Sequence, residues 1–199
     1  MRRNSALHFE PTYFADKLFS TGIKMLKNIC LLFMLFTSSV FAMNQINVTS
    51  ESIVEGKINK IHACSKFGGR DLPVQIRAEN IPGTAKFLAL VADDPDAIRP
   101  AGRVWVHWNI FNISTTGPTF SIEAGAIPKG ELGRTSGNAK GYEGMCPPDG
   151  VHKYRFAVFA LSERTETGGL FGPSAMTIDQ FETKFKSLIV GKGYIEGKF

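Results

Sequence analysis

The sequence predicts a mostly β, antiparallel fold with one helix packed on its surface near the C-terminus. Three apolar runs, at residues 87–91, 104–113 and 154–161, are rich in β-branched and aromatic residues, and turn-forming residues bound them, as expected of strands. Only residues 178–190 repeat their apolar side chains at helical spacing. The composition, 43% hydrophobic and 21% charged over 199 residues, suffices for a buried core. Strands that outnumber helices in this way favour an antiparallel sheet with a peripheral helix.

The predicted strands follow one another along the chain, with turns between them. Residues 43–60 are expected to form an exposed lead-in, with a first strand at residues 58–61. A turn at residues 80–84 precedes the run at 87–91, which is apolar on both faces and therefore typical of a central strand. Residues 114–144 are rich in Gly, Thr, Ser and Pro, which predicts long loops with at most one short strand.

The predicted helix has both a start signal and a stop signal. Thr177 and Gln180 have the spacing of a capping box, in which side chains and backbone bond reciprocally at a helix N-terminus. The apolar positions that recur at helical spacing are Ile178, Phe181, Phe185, Leu188 and Ile189. Gly191 and Gly193 are expected to end the helix, and residues 194–197 to form a last short strand.

Residues 1–42 have the pattern of a secretory signal peptide. Two lysines precede an uncharged apolar run at residues 29–41, and Val40 and Ala42 supply the small residues that a cleavage site after Ala42 requires. The sequence therefore predicts a leader followed by a periplasmic or secreted protein.

The remainder, residues 43–199, is expected to form one domain. The apolar run of the leader is too short to cross a bilayer comfortably, so no stable membrane span is predicted after cleavage. An uncleaved anchor and a buried helix are the alternatives for this run. The long segment ahead of Met25 leaves open whether the start is Met1 or Met25.

The basic character of the chain lies largely in the predicted leader. Residues 1–42 hold five of the 23 Lys/Arg and two of the 18 Asp/Glu, so cleavage would lower the formal net charge from +5 to +2. No Lys/Arg stripe remains in the sequence, and nucleic-acid binding is not predicted.

Cys64 and Cys146 are the cysteines that remain after cleavage. Two cysteines in an exported chain predict one disulfide, with two buried free thiols as the alternative. The paired Cys or His spacing typical of zinc ligands is missing from the sequence, so neither a metal nor another cofactor is predicted.

Polar side chains at the predicted strand ends indicate a small preformed pocket. His152 and Tyr154 lie at positions i and i+2, and therefore on one face of a strand. They follow closely on Pro147 and Pro148, which fix the backbone of the preceding corner. A rigid corner beside two polar side chains favours a binding site.

Two further segments are expected to complete this pocket. Asp94 and Asp96 end the central strand, while Trp105 and His107 lie on one face of the next strand together with Asn109. Carboxylates fix the tautomer of an imidazole and raise its pKa, and imidazoles with a tyrosine hydroxyl can receive an anion. A histidine in a strand is nevertheless more often structural, which is the alternative for His107.

Three motifs in this order resemble the phosphatidylethanolamine-binding protein (PEBP) family, in its bacterial Raf-kinase-inhibitor-like branch. They are Asp94-Pro95-Asp96-Ala97, the strand with Trp105, His107 and Trp108, and Gly141-Tyr142-Glu143-Gly144-Met145-Cys146-Pro147-Pro148 followed by His152-Lys153-Tyr154. The resemblance extends from about Ile58 to the C-terminus. It implies a β-sandwich core with a small anion pocket and no metal. The ligand-binding residues that it implies are Asp94, Asp96, Trp105, His107, Gly144, Pro147, Pro148, His152 and Tyr154.

The chain departs from the family pattern beside this implied pocket. Ile98 and Met145 stand where the family usually has proline, and residues 68–73 replace a Ser-Pro-rich segment. These departures leave the polar ligands in place and alter the expected shape of the pocket.

These features favour a non-enzymatic exported protein that binds a small anion or a phospholipid headgroup. The sequence has no Gly-x-Ser-x-Gly nucleophile elbow and no phosphate-binding glycine loop, and Cys146 is expected in a disulfide, so a hydrolase is the weakest alternative. The second interpretation is a protein-interaction inhibitor of a kinase or protease, which acts through the pocket rim and residues 130–144. The sequence does not identify the ligand, the protein partner or the oligomeric state.

Overall fold

Two sheets face each other across the main hydrophobic core of the protein. The structure, a computed structural model, describes residues 44–169 and 172–199; the predicted leader lies outside the described residues. The strands in the described residues are β1 (Asn44–Gln45), β2 (Asn47–Thr49), β3 (Ile53–Val54), β4 (Lys57–Ile58), β5 (Ile76–Glu79), β6 (Phe87–Asp94), β7 (Trp105–Ser114), β8 (Thr119–Ile122), β9 (Glu131–Leu132), β10 (Lys153–Leu161), β11 (Gly168–Gly169), β12 (Gly172–Pro173) and β13 (Ile189–Lys198). The α-helices are α1 (Ile98–Ala101) and α2 (Ile178–Phe185), and short 3-10 helices cover Lys60–His62, Ser65–Phe67 and Pro95–Ala97.

The large sheet has the strand order β3-β4-β13-β10-β6-β7-β9, with β1 also paired to β13. Its central pairs, β13–β10, β10–β6 and β6–β7, are all antiparallel, while β1 and β4 pair with β13 in parallel. A second sheet, β2-β5-β8, packs on one face, and β11 pairs with β12. The mostly β, antiparallel fold predicted from the sequence is confirmed.

Both faces of the central strands are buried, which explains their uninterrupted apolar sequence. Along β6, Leu88 and Leu90 point into the core between the two sheets. Ala89 and Val91 point to the opposite face, where they belong to a second cluster with Phe181 of helix α2. A strand covered on both sides loses the alternation of apolar and polar residues that marks a half-exposed strand.

Helix α2 is fixed to the sheet at its first turn. The predicted capping box is present: the Thr177 hydroxyl accepts from the Gln180 backbone N–H, and the Gln180 side chain accepts from the Thr177 backbone N–H. The buried Asp93 carboxylate at the end of β6 also accepts the Ile178 N–H, at 2.9 Å. A carboxylate is favourable at this position because the N-terminus of a helix carries partial positive charge.

The helix is shorter than predicted, because the chain enters β13 at Ile189 rather than continuing as a helix. Gly191 and Gly193, expected to end the helix, lie inside this strand. A Cβ at Gly193 would lie 2.0 Å from the Ile46 carbonyl oxygen, so glycine is required for β13 to approach the N-terminal segment closely. The tertiary pairing of β13 therefore overrides the local helical pattern.

Two other predicted segments also differ from the structure. The lead-in at residues 43–60 contains β1 and β2, with Ile46 and Val48 in the main core, and residues 60–62 form a 3-10 helix instead of continuing a strand. The segment 114–144 holds two strands, β8 and β9, rather than at most one. Short strands like these lack a periodic signal of their own, since two to four residues hardly span one alternation.

A β-bulge interrupts β7 at His107. Ala92 pairs with Trp108 and Asp93 with Val106, which leaves His107 without a partner in the β6–β7 register. Such a bulge turns a side chain away from the regular alternation. The pocket walls depend on this irregularity.

None of the helices in the described residues has the length and apolar character needed to cross a membrane.

Candidate ligand-binding pocket

A cavity of about 210 Å³ opens where β6 ends and where β7 and β10 begin. These three strands are neighbours in the large sheet, so antiparallel pairing brings one strand end and two strand starts to the same edge. The residues that line the cavity are Asp94, Ala97, Pro100, Ala101, Trp105, His107, Glu143, Cys146, Pro147, Pro148 and Tyr154.

Tyr154 gives the cavity a buried hydroxyl group. The side chain is 1% exposed, and its hydroxyl oxygen has no hydrogen-bond partner in the described residues. Burial, together with the carboxylates of Asp94 and Asp96, raises the pKa of Tyr154 well above its usual range. The hydroxyl therefore stays protonated and is free to donate to a bound group.

Asp94 connects the cavity to the loop that follows β6. Its Oδ1 accepts the backbone N–H groups of Asp96 and Ala97, at 2.9 and 3.1 Å, as in an N-terminal helix cap. Its Oδ2 lies 2.7 Å from Nδ1 of His152. These contacts occupy both carboxylate oxygens and fix the orientation of a side chain that is 3% exposed.

His152 is held between two carboxylates. In addition to the contact with Asp94, its Nε2 lies 3.2 Å from Oδ1 of Asp149. Because an ionised carboxylate only accepts, both ring nitrogens are placed to donate, which is possible only for the protonated imidazole. Burial opposes the charged form, but the hydrogen bonds to Asp94 and Asp149 outweigh it and raise the pKa of His152.

His107 has the opposite electrostatic environment. Its Nδ1 lies 2.9 Å from the backbone oxygen of Glu143, so this nitrogen carries the proton. Burial lowers the pKa of His107, although the Glu143 carbonyl and nearby carboxylates favour the charged form. The ring packs edge-on against Tyr154, with 5.2 Å between the ring centroids. The pocket thus presents a neutral imidazole at neutral pH.

The bulge in β7 determines where His107 points. The sequence predicts His107 and Asn109 on one face, yet His107 faces Tyr154 in the pocket, whereas Asn109 bonds to the backbone of Met176 beside the second core. Trp108 also lies in the main core. Two consecutive residues therefore face the same side, and the prediction from strict alternation is wrong at this position.

Glu143 forms one wall of the cavity and was not predicted as a site residue. Its Oε1 accepts from the Trp105 indole N–H at 3.3 Å, and its Oε2 accepts from the Gly137 backbone N–H at 3.2 Å. The guanidinium of Arg103 lies over the Trp105 ring, 5.0 Å from the centroid. Glu143 stands inside the third sequence motif, between Gly141 and Gly144, and a carboxylate at that position is the signal that could have identified it.

Cys146 and Cys64 are joined by a disulfide that lies beside the pocket. The backbone N–H of Cys64 also donates to the Met145 carbonyl at 3.0 Å, and Ala63 and Met145 form an isolated parallel bridge. The corner that leads into Pro147 is therefore tied to the segment after β4 both covalently and by backbone bonds.

The structure brings six of the nine predicted ligand-binding residues to the cavity wall. They are Asp94, Trp105, His107, Pro147, Pro148 and Tyr154. His152 instead lies behind Asp94 and orients it.

The other two predicted residues shape the loops around the cavity. Asp96 accepts the Lys153 backbone N–H at 2.8 Å, and Gly144 donates its own N–H to Asp71 at 3.1 Å. A Cβ at Gly144 would lie 2.8 Å from the His62 backbone oxygen, which explains why glycine is present there. Within residues 44–169 and 172–199, no group of three or more His, Cys, Asp or Glu side chains is arranged to hold a metal ion.

Comparison with known proteins identifies the family. The family model described as phosphatidylethanolamine-binding protein matches residues 49–199. A UPF0098 protein of Aquifex aeolicus is 31% identical over 186 residues, 88% of this chain and 98% of the relative. A UPF0098 protein of Methanothermobacter thermautotrophicus is 40% identical over 110 residues, 53% of this chain and 69% of the relative.

Solved structures agree with this assignment. The crystal structure of a PEBP homologue from Chlamydia trachomatis matches with a TM-score of 0.63 and 26% identity, covering 78% of this chain and 97% of the other. Escherichia coli YbcL, described as a member of the mammalian PEBP family, matches with the same score and identity, covering 77% and 97%. The resemblance found in the sequence motifs is confirmed, and the chain belongs to the phosphatidylethanolamine-binding protein family.

Proposed function

We propose that the protein is a non-enzymatic binding protein whose cavity takes a small anion or the phosphoryl headgroup of a phospholipid. The observation that carries this proposal is the Tyr154 hydroxyl, which is buried at the cavity and unpartnered in the described residues. Leaving a buried polar group unsatisfied costs about 1–3 kcal/mol. A ligand oxygen that accepts from Tyr154 would recover this cost.

The chemistry of the cavity wall supports binding rather than catalysis. Nucleophilic catalysis requires a nucleophile that a base or a lowered pKa activates. Cys146 is the cysteine at the wall, and its sulfur is bonded to Cys64 rather than present as a thiol. The pKa of Tyr154 is raised rather than lowered, so its hydroxyl is not activated as a nucleophile. The side chains that line the cavity include no serine, threonine or lysine.

Export is part of the same proposal. The signal-peptide pattern of residues 1–42 and the bond between Cys64 and Cys146 both support a periplasmic or secreted location, since disulfides persist in oxidising compartments. N-terminal sequencing of the protein from its native host tests this part. A chain that retains residues 1–42 would contradict cleavage after Ala42.

The binding test compares Tyr154→Phe with Tyr194→Phe. Tyr194 is 62% exposed on β13 and does not line the cavity, so it is the matched control for removing one hydroxyl. NMR titration with inorganic phosphate and with O-phosphoethanolamine should shift the His107 and His152 signals of the wild type. A hydrogen bond to a charged group contributes about 1.5–3 kcal/mol, so Tyr154→Phe should weaken binding about tenfold or more. Equal affinities for the two variants would contradict the proposed site.

The pocket rim supports a second candidate function, a protein-interaction inhibitor. Ile98 is 55% exposed and Val151 is 69% exposed, and the ion pair between Arg99 and Asp149, at 2.7 Å, joins the two segments that carry them. Exposed aliphatic side chains around a rigid cavity are typical of binding surfaces.

The test of this second candidate uses charge substitutions at the rim. Ile98→Asp and Val151→Asp should release a partner isolated from the envelope, such as a protease. Val54→Asp is the matched control, because Val54 is 63% exposed in the strand β3, a segment that contributes no residue to the cavity wall, whereas Ile98 follows the wall residue Ala97. A partner that all three variants retain equally would not be bound through the rim.

A further inference from the structure

The side chains of the candidate pocket offer more hydrogen-bond acceptors than uncommitted donors. Of the side chains at its wall, the carboxylates of Asp94 and Glu143 accept only. The N–H groups of Trp105 and His107 are already donated to Glu143. Tyr154 therefore supplies the one uncommitted side-chain donor among the wall residues. This composition is unusual for a site that binds an anion, and it restricts which anions fit.

The protonation state of His107 determines which hydrogen-bonding group the ligand must supply. Because Nδ1 donates to the Glu143 carbonyl, a neutral ring leaves Nε2 with a lone pair, and no described residue forms a hydrogen bond to that nitrogen. The charged groups that act on the pKa of His107 are the carboxylates of Glu143 on its loop and of Asp94 and, from the opposite face of the sheet, Asp93 on β6. On β10, the neutral Tyr154 faces the ring directly. The burial that lowers the pKa of His107 keeps the ring neutral at pH 7.

An anion without a proton would meet two carboxylates and a lone pair, with Tyr154 as the single side-chain donor. A phosphoryl group that carries one P–OH can donate to Nε2 of His107 while another oxygen accepts from Tyr154. We propose that the pocket binds a phosphoryl group together with one proton shared between a ligand oxygen and His107 Nε2, so that His107 selects phosphate esters over sulfate esters. This inference rests on the proposed function and specifies its ligand class.

The experiment compares O-phosphoethanolamine with ethanolamine O-sulfate, which are close in shape but differ in the acidic proton. Isothermal titration calorimetry of the purified protein at pH 7.5, in buffers of different ionisation enthalpy, gives the affinity and the number of protons taken up. The phosphate ester is mostly a dianion at this pH, because its second pKa is about 6. We expect uptake approaching one proton, an affinity that falls about tenfold per pH unit above this, and sulfate-ester binding weaker by about tenfold or more.

The matched variant is His107→Gln. Its side-chain amide offers a permanent donor at the position of Nε2 and does not titrate. We expect the phosphate ester to bind with a flatter pH dependence and the sulfate ester to approach its affinity. If this variant does not fold, the ¹⁵N shift of His107 Nε2 in the wild-type protein gives the same information, since it should move from a bare to a hydrogen-bonded nitrogen on binding.

The outcomes separate this inference from the proposed function. Equal affinities for the two esters without proton uptake would overturn the inference and leave anion binding intact. Proton uptake that persists in His107→Gln would assign the proton to another group, such as His152, and would also overturn it. If neither ester binds at millimolar concentration, the proposed function itself fails. Binding that Tyr154→Phe leaves unchanged would indicate an adventitious ion only.

Discussion

Removal of the disulfide should destabilise the protein through its unfolded state. The bond closes a loop with a sequence separation of 82 residues, and the chain-entropy relation gives about 4.5 kcal/mol for such a loop at 25 °C. Cys64 is half-buried and Cys146 is exposed, so their replacement by alanine removes little packing. The backbone bond from Cys64 to Met145 remains, and we expect Cys64→Ala/Cys146→Ala to lower the free energy of unfolding by about 2–4 kcal/mol.

Urea unfolding, followed by tryptophan fluorescence, measures this loss directly. Trp105 and Trp108 flank the pocket bulge, so the signal reports the region that the disulfide anchors. The reducing agent alone should produce a similar loss in the wild type and none in the double variant. A loss below about 1 kcal/mol would show that loop closure does not dominate, and two free thiols in the unreduced, denatured wild-type protein would contradict the bond itself.

Three further predictions concern buried groups. Arg155→Met leaves the fully buried Asp93 without the two hydrogen bonds, of 2.8 and 2.9 Å, that the Arg155 guanidinium donates to it. Urea unfolding should show a free energy of unfolding lower by about 3–5 kcal/mol, and a loss below about 1 kcal/mol would contradict an essential ion pair. Gly193→Ala should prevent the close approach to the Ile46 carbonyl and lower the melting temperature by several degrees, whereas Gly83→Ala, with open space around its position, should change it little. Because the pKa of His152 is raised on folding, the stabilisation from its charged form is complete below pH 6.5 and is lost as pH rises through the folded pKa. Urea unfolding between pH 6.5 and 9 should show the free energy of unfolding decline, and a flat profile would contradict a charged His152.

The pH dependence separates the two pocket histidines. His107 has a pKa that is lowered on folding, so its contribution is complete above pH 6.5 and is lost as pH falls through the folded pKa. A decline between pH 6.5 and 9 is therefore the expected signature of His152, and a decline that begins just below pH 6.5 is that of His107. The same assignment supports the choice of pH 7.5 and above for ligand binding, where His107 is neutral before the ligand arrives.

Sequence reasoning predicted three of the four central strands, β6, β7 and β10, because burial on both faces makes them apolar and β-branched. The runs predicted at residues 87–91, 104–113 and 154–161 all lie in long strands at the centre of the large sheet. The strands that it missed include β1, β2 and β9, which have two or three residues each and exist only because another strand is present to pair with them. Pairing of this kind depends on the tertiary structure, so it cannot be detected from a short stretch of sequence alone.

The position of the pocket was predictable from rigid corners and strand ends. The orientation of its side chains was less predictable, because the backbone of β7 is irregular. Asp94 and Tyr154 were located correctly at strand ends because turns and prolines mark those ends. The orientation of His107 was not predictable, because a bulge adds one residue without a sequence signature and changes which residues share a face. Glu143 was not predicted because its role depends on two contacts that sequence patterns do not show. Trp105 is distant from it in the sequence, and Gly137 lies in a loop.

Asp93 and Asp94 show how one strand end supplies both the support of the fold and the chemistry of the pocket. Strand alternation directs Asp93 toward Arg155 and the start of helix α2, and Asp94 toward His152 and the cavity. Each carboxylate therefore has its own cation, and neither buried charge needs a ligand to neutralise it. The described residues that line the cavity include no arginine or lysine, so this wall differs from an anion site built on a free cation. Under the proposed function, recognition then depends on hydrogen-bond matching at Tyr154 and His107, so the protonation state of the ligand, more than its net charge, should decide binding.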